Sequence, residues 1–194
     1  MKTLGITGGI GSGKSYVSAI LQKEFGIPVY DCDKEAKRLT ATDKEIRQQL
    51  IELVGAEVFK GESLNKTLLA DYLFSDVENA SKVNAIIHPA VLKDFKFWSS
   101  KRQNHELVAL ESAILFESGF NAFVDKILFV DAPEDVRLQR AMRRDGASEE
   151  QIKARMKMQQ PELHRLQSDF VIDNSSSDDT RLLVQLRKCL ILNS

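Results

Sequence analysis

The sequence predicts an α/β fold, a five-stranded parallel sheet in a three-layer arrangement with helices. Short apolar β-type runs alternate with longer amphipathic segments, the order expected when helical crossovers return each strand to the same sheet. The runs are mostly apolar rather than alternating, as strands buried on both faces are. A glycine-rich turn separates the first run from the first amphipathic segment, which gives a strand, loop and helix in sequence.

Taken in order, the expected strands are residues 3–7, 28–30, 107–110, 126–130 and 170–172. After the first, Val17, Ile20, Leu21 and Phe25 follow helical spacing, so a helix over 14–25 should end near Gly26 and Pro28. At the far end Leu182, Leu183, Leu186 and Leu190 make a similar stripe, read as a closing helix packed on the sheet. Residues 31–106 are too many for one crossover and read as several helices punctuated by Gly55, Gly61 and Pro89, an inserted helical subdomain. A second insertion, 133–160, reads as two helical segments meeting at Asp145-Gly146-Ala147, with Ser148 and Gln151 forming a capping box for the second. That pair is expected to move as a lid. Residues 1–30, 107–132 and 161–194 remain as the core.

Composition sets outer bounds. The 194 residues are 43% hydrophobic and 28% charged, a balance suited to one globular unit. Lys and Arg number 27 against 28 Asp and Glu, so no charge excess suggests a nucleic-acid partner. Cys32 and Cys189 lack metal-ligand spacing and are too few for a disulfide framework, which fits a reducing compartment. No apolar stretch has signal-peptide or membrane-span length. A cytoplasmic protein is expected, with a monomer the favoured state.

Gly8-Gly9-Ile10-Gly11-Ser12-Gly13-Lys14-Ser15 fits G-x-x-x-x-G-K-[ST] between an apolar strand and an amphipathic helix, the context this phosphate-binding loop requires. Backbone N–H groups along Gly9, Gly11, Ser12 and Gly13 would point into one concavity, and the helix start adds its positive dipole end. Lys14 would bridge the β- and γ-phosphates of ATP and Ser15 would ligate Mg²⁺, with Tyr16 counted in the nucleotide-binding set. The three-layer P-loop nucleotide-binding fold follows. The loop does not by itself separate kinases from GTPases or ATPases, although a guanine-reading Asn-Lys-x-Asp motif is missing.

In open parallel sheets ligands sit beyond the carboxyl ends of the strands, where Asp31, Asp33 and Glu111 fall. Asp33 suits the base that takes the proton from an attacking hydroxyl; helix capping before Lys34 weighs about evenly against that role. Asp31 is the weaker candidate, and Glu117 reads as a solvated or structural carboxylate. Glu111 suits a metal-binding position, direct or through water. Arg137, Arg140 and Arg144 share one helical face, with Arg143 adjacent and Arg155 on the next segment. Most of these should pair with neighbouring acids in water. Phosphoryl transfer nonetheless needs charge neutralisation on the migrating group, and Arg140 and Arg144 are the choices for it.

Together these residues resemble dephospho-CoA kinase. The resemblance runs through Leu4-Gly5-Ile6-Thr7 and the loop after it, Asp31-Cys32-Asp33, Ile87-His88-Pro89, Ala113-Ile114-Leu115-Phe116-Glu117, residues 140–159, and Asp169-Phe170-Val171-Ile172-Asp173-Asn174. It covers nearly the whole chain in order. It implies ATP-dependent phosphorylation of the ribose 3′-hydroxyl of dephospho-CoA, the last step of CoA biosynthesis. Carried over by position, it makes Asp33 the base, Lys14 and Arg140 phosphate contacts, and Asn174 part of the adenine-binding loop. It also puts His88 on the substrate side, where a packing role fits the residue type equally. Ala113, Glu111 and Lys37 stand where the family often has Pro, Asp and Arg. Lys37, a substrate-side cation, keeps the charge without the bidentate fork. A nucleoside monophosphate kinase is the nearest rival reading.

Overall fold

In the computed structural model, which describes residues 1–176 and 178–193, the chain runs β1 (Lys2–Thr7), α1 (Lys14–Phe25), β2 (Val29–Asp31), α2 (Cys32–Thr42), α3 (Lys44–Val54), β3 (Phe59–Lys60), β4 (Ser63–Leu64), α4 (Lys66–Ser75) and α5 (Val77–Ser100). It continues through β5 (Leu107–Glu111), β6 (Lys126–Asp131), α6 (Glu134–Asp145), α7 (Glu149–Lys157), α8 (Pro161–Leu166), β7 (Phe170–Asp173) and α9 (Asp179–Asn193). Two compact units result, residues 1–30 with 103–194 and residues 31–102.

The first unit holds an all-parallel sheet in the order β2-β5-β1-β6-β7. All five expected strands are present, with ends differing by one residue. Apolarity alone stops β5 at Leu110 and β6 at Val130, but pairing continues one residue further, with Glu111 opposite Ile6 and Asp131 opposite Asp173. The ladder therefore carries carboxylates to its carboxyl edge. One face of the sheet is covered by α1 and α9, where Val17, Leu21, Leu182 and Leu186 pack with Leu4, Ile6, Leu128 and Ile172. Leu186 is fully buried, and truncating such a side chain to Ala costs about 2–5 kcal/mol. Leu115 and Val124 approach the other face at Gly5.

The second unit is helical, apart from the β3–β4 hairpin. Its helix starts are capped by short polar side chains: Asp31, Asp43, Asn65 and Asp76 each accept from an N–H in the first turn of α2, α3, α4 and α5. Leu39, Ile46, Leu50, Leu69, Val83, Val91 and Phe95 are buried in it. One of the three expected helix breaks is corrected here. Gly55 ends α3 and Gly61 turns the hairpin between α3 and α4, but Pro89 lies inside α5. A proline there removes one intrahelical hydrogen bond, at about 3 kcal/mol. Packing of α5 against α2, α3 and α4 outweighs that loss. Among the described residues no helix is long and apolar enough to cross a membrane.

Candidate phosphate-binding site

The loop of residues 8–15 leaves β1 and enters α1 at the same edge as Glu111, Asp131 and Asp173. Its glycines are sterically required. Gly11 has φ 77°, and a Cβ there would meet the Arg137 carbonyl oxygen at 2.0 Å; Gly13 has φ 93°, and a Cβ would meet Asn174 Nδ2 at 2.2 Å. No side chain larger than hydrogen fits either place without moving backbone or a buried amide. Gly13 caps α1 with no side-chain hydrogen bond, so no capping oxygen competes with an anion for the N–H groups at the start of the helix.

Lys14 folds back over the loop, its Nζ donating to Gly8 O at 2.9 Å and Gly9 O at 3.3 Å. The Ser15 hydroxyl donates to Glu111 Oε1 at 2.7 Å, and Glu111 is 7% exposed. The structure thus joins the two sequence-selected metal candidates across the β1–β5 edge. Among the described residues no group of three or more His, Cys, Asp or Glu is arranged to hold a metal. A divalent ion beside Ser15 would therefore draw most ligands from phosphate and water, as Mg²⁺ commonly does. The buried Ser12 hydroxyl has no hydrogen-bond partner among the described residues.

Asn174 and the helical pair α6–α7 pack against this loop. Asn174, 4% exposed, donates from Nδ2 to Ser12 O at 2.8 Å, and its own carbonyl accepts from Arg140 Nη1 at 2.7 Å. The Asn174 amide nitrogen thus braces the loop from the end of β7. Arg144 pairs with Asp145, as does Arg155, and these guanidiniums hold the Asp145 carboxyl far below the usual carboxylate range. Tyr16 is exposed and its hydroxyl donates to Asp179 at the start of α9; that hydrogen bond raises the phenol above its ordinary value. The expected α6–α7 junction is present, with Gly146 left-handed and the Ser148–Gln151 capping box formed.

Two loop contacts escaped the sequence reading. Arg137 belongs to the arginine stripe, but spacing does not say which member turns inward; its guanidinium lies over Gly9. Gln159 accepts from Ile10 N at 2.8 Å, a contact that its place at the end of the lid segment 140–159 does not predict. Beside them Asp131, Pro133, Arg137, Asp173, Ser175 and Gln185 line a cavity of ≈ 670 Å³, with Arg165 bridged to Asp131 at 3.2 Å.

In the second unit, Asp31 rather than Asp33 caps α2, accepting from Lys34 N at 2.9 Å. Asp33 lies in the first turn, exposed, with Lys37 one turn later and also exposed. The capping alternative for Asp33 is thereby removed. His88 sits within α5, half-buried, and burial pushes its imidazole below its ordinary value.

A parallel sheet with a glycine loop between β1 and α1, a lysine folded over the loop and a hydroxyl tied to a strand-end carboxylate defines a P-loop nucleotide-binding protein. The family profile for dephospho-CoA kinase matches residues 2–179. A dephospho-CoA kinase from Bacteroides fragilis is 52% identical over 172 residues, spanning 88% of this chain and 83% of that protein. A solved structure from Thermus thermophilus superposes with TM-score 0.86 at 34% identity, covering 99% of this chain and 97% of that one. The dephospho-CoA kinase of Campylobacter jejuni shares the fold at TM-score 0.69 and 21% identity, over 99% of this chain and 98% of that one. The chain belongs to the dephospho-CoA kinase family.

Proposed function

We propose that this protein transfers the γ-phosphoryl group of ATP to the ribose 3′-hydroxyl of dephospho-CoA, giving CoA and ADP. The observation that carries the reading is the built phosphate loop, with Lys14 over two of its carbonyls and Ser15 tied to Glu111, in a chain of this family.

The loop amides and the α1 N-terminus receive the β- and γ-phosphates, and Lys14, still anchored at the Gly9 carbonyl, turns its other N–H bonds to bridge them. Arg140 adds positive charge as the group migrates, held in place by the Asn174 carbonyl. Arg144 joins it if its pairing with Asp145 is exchanged for phosphate. Asp33 accepts the proton as the 3′ oxygen bonds to the γ-phosphorus and the bond to the β-phosphate oxygen breaks. Ser15 and Glu111 would hold Mg²⁺, which when bound neutralises charge on the phosphate oxygens. The cavity beside Pro133 and Ser175 is of a size for a nucleoside. Residues 31–106, with Lys37 and His88, would hold dephospho-CoA, and 133–160 would act as the lid that excludes water. A cytoplasmic monomer fits this reading.

The test supplies purified protein with ATP and Mg²⁺ and follows ADP release. Turnover is expected with dephospho-CoA and not with AMP or dTMP. Turnover on a nucleoside monophosphate with none on dephospho-CoA sinks the assignment.

A further inference from the structure

The phosphate loop carries one large apolar side chain, Ile10, and the helical pair holds that residue from two directions. Its side chain packs on the small core of α6 and α7 formed by Ala141, Ile152 and Met156, together with Leu138 and Met142. Its N–H donates to Gln159 Oε1 at 2.8 Å. The backbone of Gln159 is fixed in turn by the end of α7, donating to Met156 O at 3.1 Å.

The peptide that joins Gly9 to Ile10 is trans, so its carbonyl and its N–H point in opposite directions. The carbonyl faces into the loop, where Gly9 O accepts from Ser12 N at 3.1 Å and from Lys14 Nζ at 3.3 Å. The N–H faces outward, to Gln159. One acceptor on the outside therefore sets the angle of a carbonyl that orients the lysine inside.

We propose that Gln159 is a positioning residue: by accepting from Ile10 N–H it fixes the Gly9–Ile10 peptide, and through that peptide it aims Lys14 at the phosphates. The proposal rests on the ATP site argued above. With no acceptor at 159 the Ile10 N–H turns toward water, the Gly9 carbonyl tilts, and Lys14 loses a fixed anchor. The same linkage makes α6, which carries Arg137 and Arg140, follow the loop through Ile10. The two arginines and the lysine then reach the phosphates as one set.

The experiment measures ATP and adenosine binding by calorimetry, steady-state kinetics, and hydrogen exchange at the Ile10 amide, for the wild type, Gln159→Leu and Gln159→Glu. In the wild type the Ile10 amide exchanges slowly. Gln159→Leu exposes it, weakens ATP binding and raises the ATP KM by about tenfold, leaves kcat within about twofold, and leaves adenosine binding unchanged. Gln159→Glu keeps an accepting oxygen at the same reach and restores the slow exchange. Fast exchange at Ile10 in the wild type overturns the proposal, whether or not a variant folds. So does a Gln159→Leu protein that loses the protection yet binds ATP as before, or one whose kcat falls while ATP affinity holds. Failure of the ATP site itself reads differently: Lys14→Ala would then bind ATP as tightly as the wild type.

Discussion

The two units hold their candidate residues by different means. In the first, the phosphate loop is a meeting point of distant segments: Ser15 meets Glu111, Ser12 meets Asn174, and Ile10 meets Gln159. Each link joins separate elements, so the geometry exists only once the sheet has formed. In the second, α2 makes local polar contacts, Asp31 to Lys34, Arg38 to Glu35 and Thr40 to Ala36, while Arg38 also reaches α5 at Asp94. Asp33 and Lys37 are exposed on the surface of that helix. A loop preorganised by packing can bind charge before chemistry begins, whereas an exposed carboxylate acts only when substrate is laid against it. The first unit should therefore govern nucleotide affinity, and the second the transfer step.

The sharpest way to break that division is Lys14→Ala. Removing the ammonium should lower kcat/KM by about a thousandfold and weaken ATP binding as well, because ground state and transition state both lose the cation. The measurement is steady-state kinetics beside calorimetric ATP affinity. Full ATP affinity in this variant would remove the phosphate loop from nucleotide binding and collapse the contrast between the units.

The next largest effect is expected at Asp33. Asp33→Asn keeps the shape and removes the base, so kcat should fall by about a hundredfold while ATP affinity persists. Because Asp31 rather than Asp33 caps α2, the variant keeps its helix cap and should remain folded. A parallel loss of ATP affinity would mean that Asp33 serves the nucleotide side, and unchanged turnover would remove it as the base.

What could be read in advance follows the same line between local and long-range information. Helix 14–25, the five strands, Gly146 and the Ser148–Gln151 box rest on periodicity and caps within a few residues of each other, and all were legible. The loop was legible because Gly11 and Gly13 are demanded by contacts that leave no room for a side chain. Pro89 misled because the packing of α5 on three other helices is invisible to local propensity. Glu111 was legible as a type but not as the partner of Ser15, and Arg137 could not be told from Arg144 on a shared stripe. Gln159 was legible only as the end of the lid segment 140–159, since its contact depends on where α7 ends relative to the loop.

The smallest effect sharpens the second unit's side of the comparison, where burial rather than charge pairing dominates at His88. Burial lowers its imidazole from the ordinary 6.5, so the folded protein favours the neutral form. Stability from this group is present above 6.5 and is lost as pH falls, because the unfolded chain takes up the proton first. Between pH 7.5 and 5.5 the wild type should therefore lose more Tm than His88→Gln does, by a margin on the order of 1 °C. Thermal melts of both proteins across that interval measure it directly. Should the wild type instead gain on the variant as pH falls, an acidic neighbour must be holding the imidazole charged. An ionic contact rather than burial would then set the state of His88.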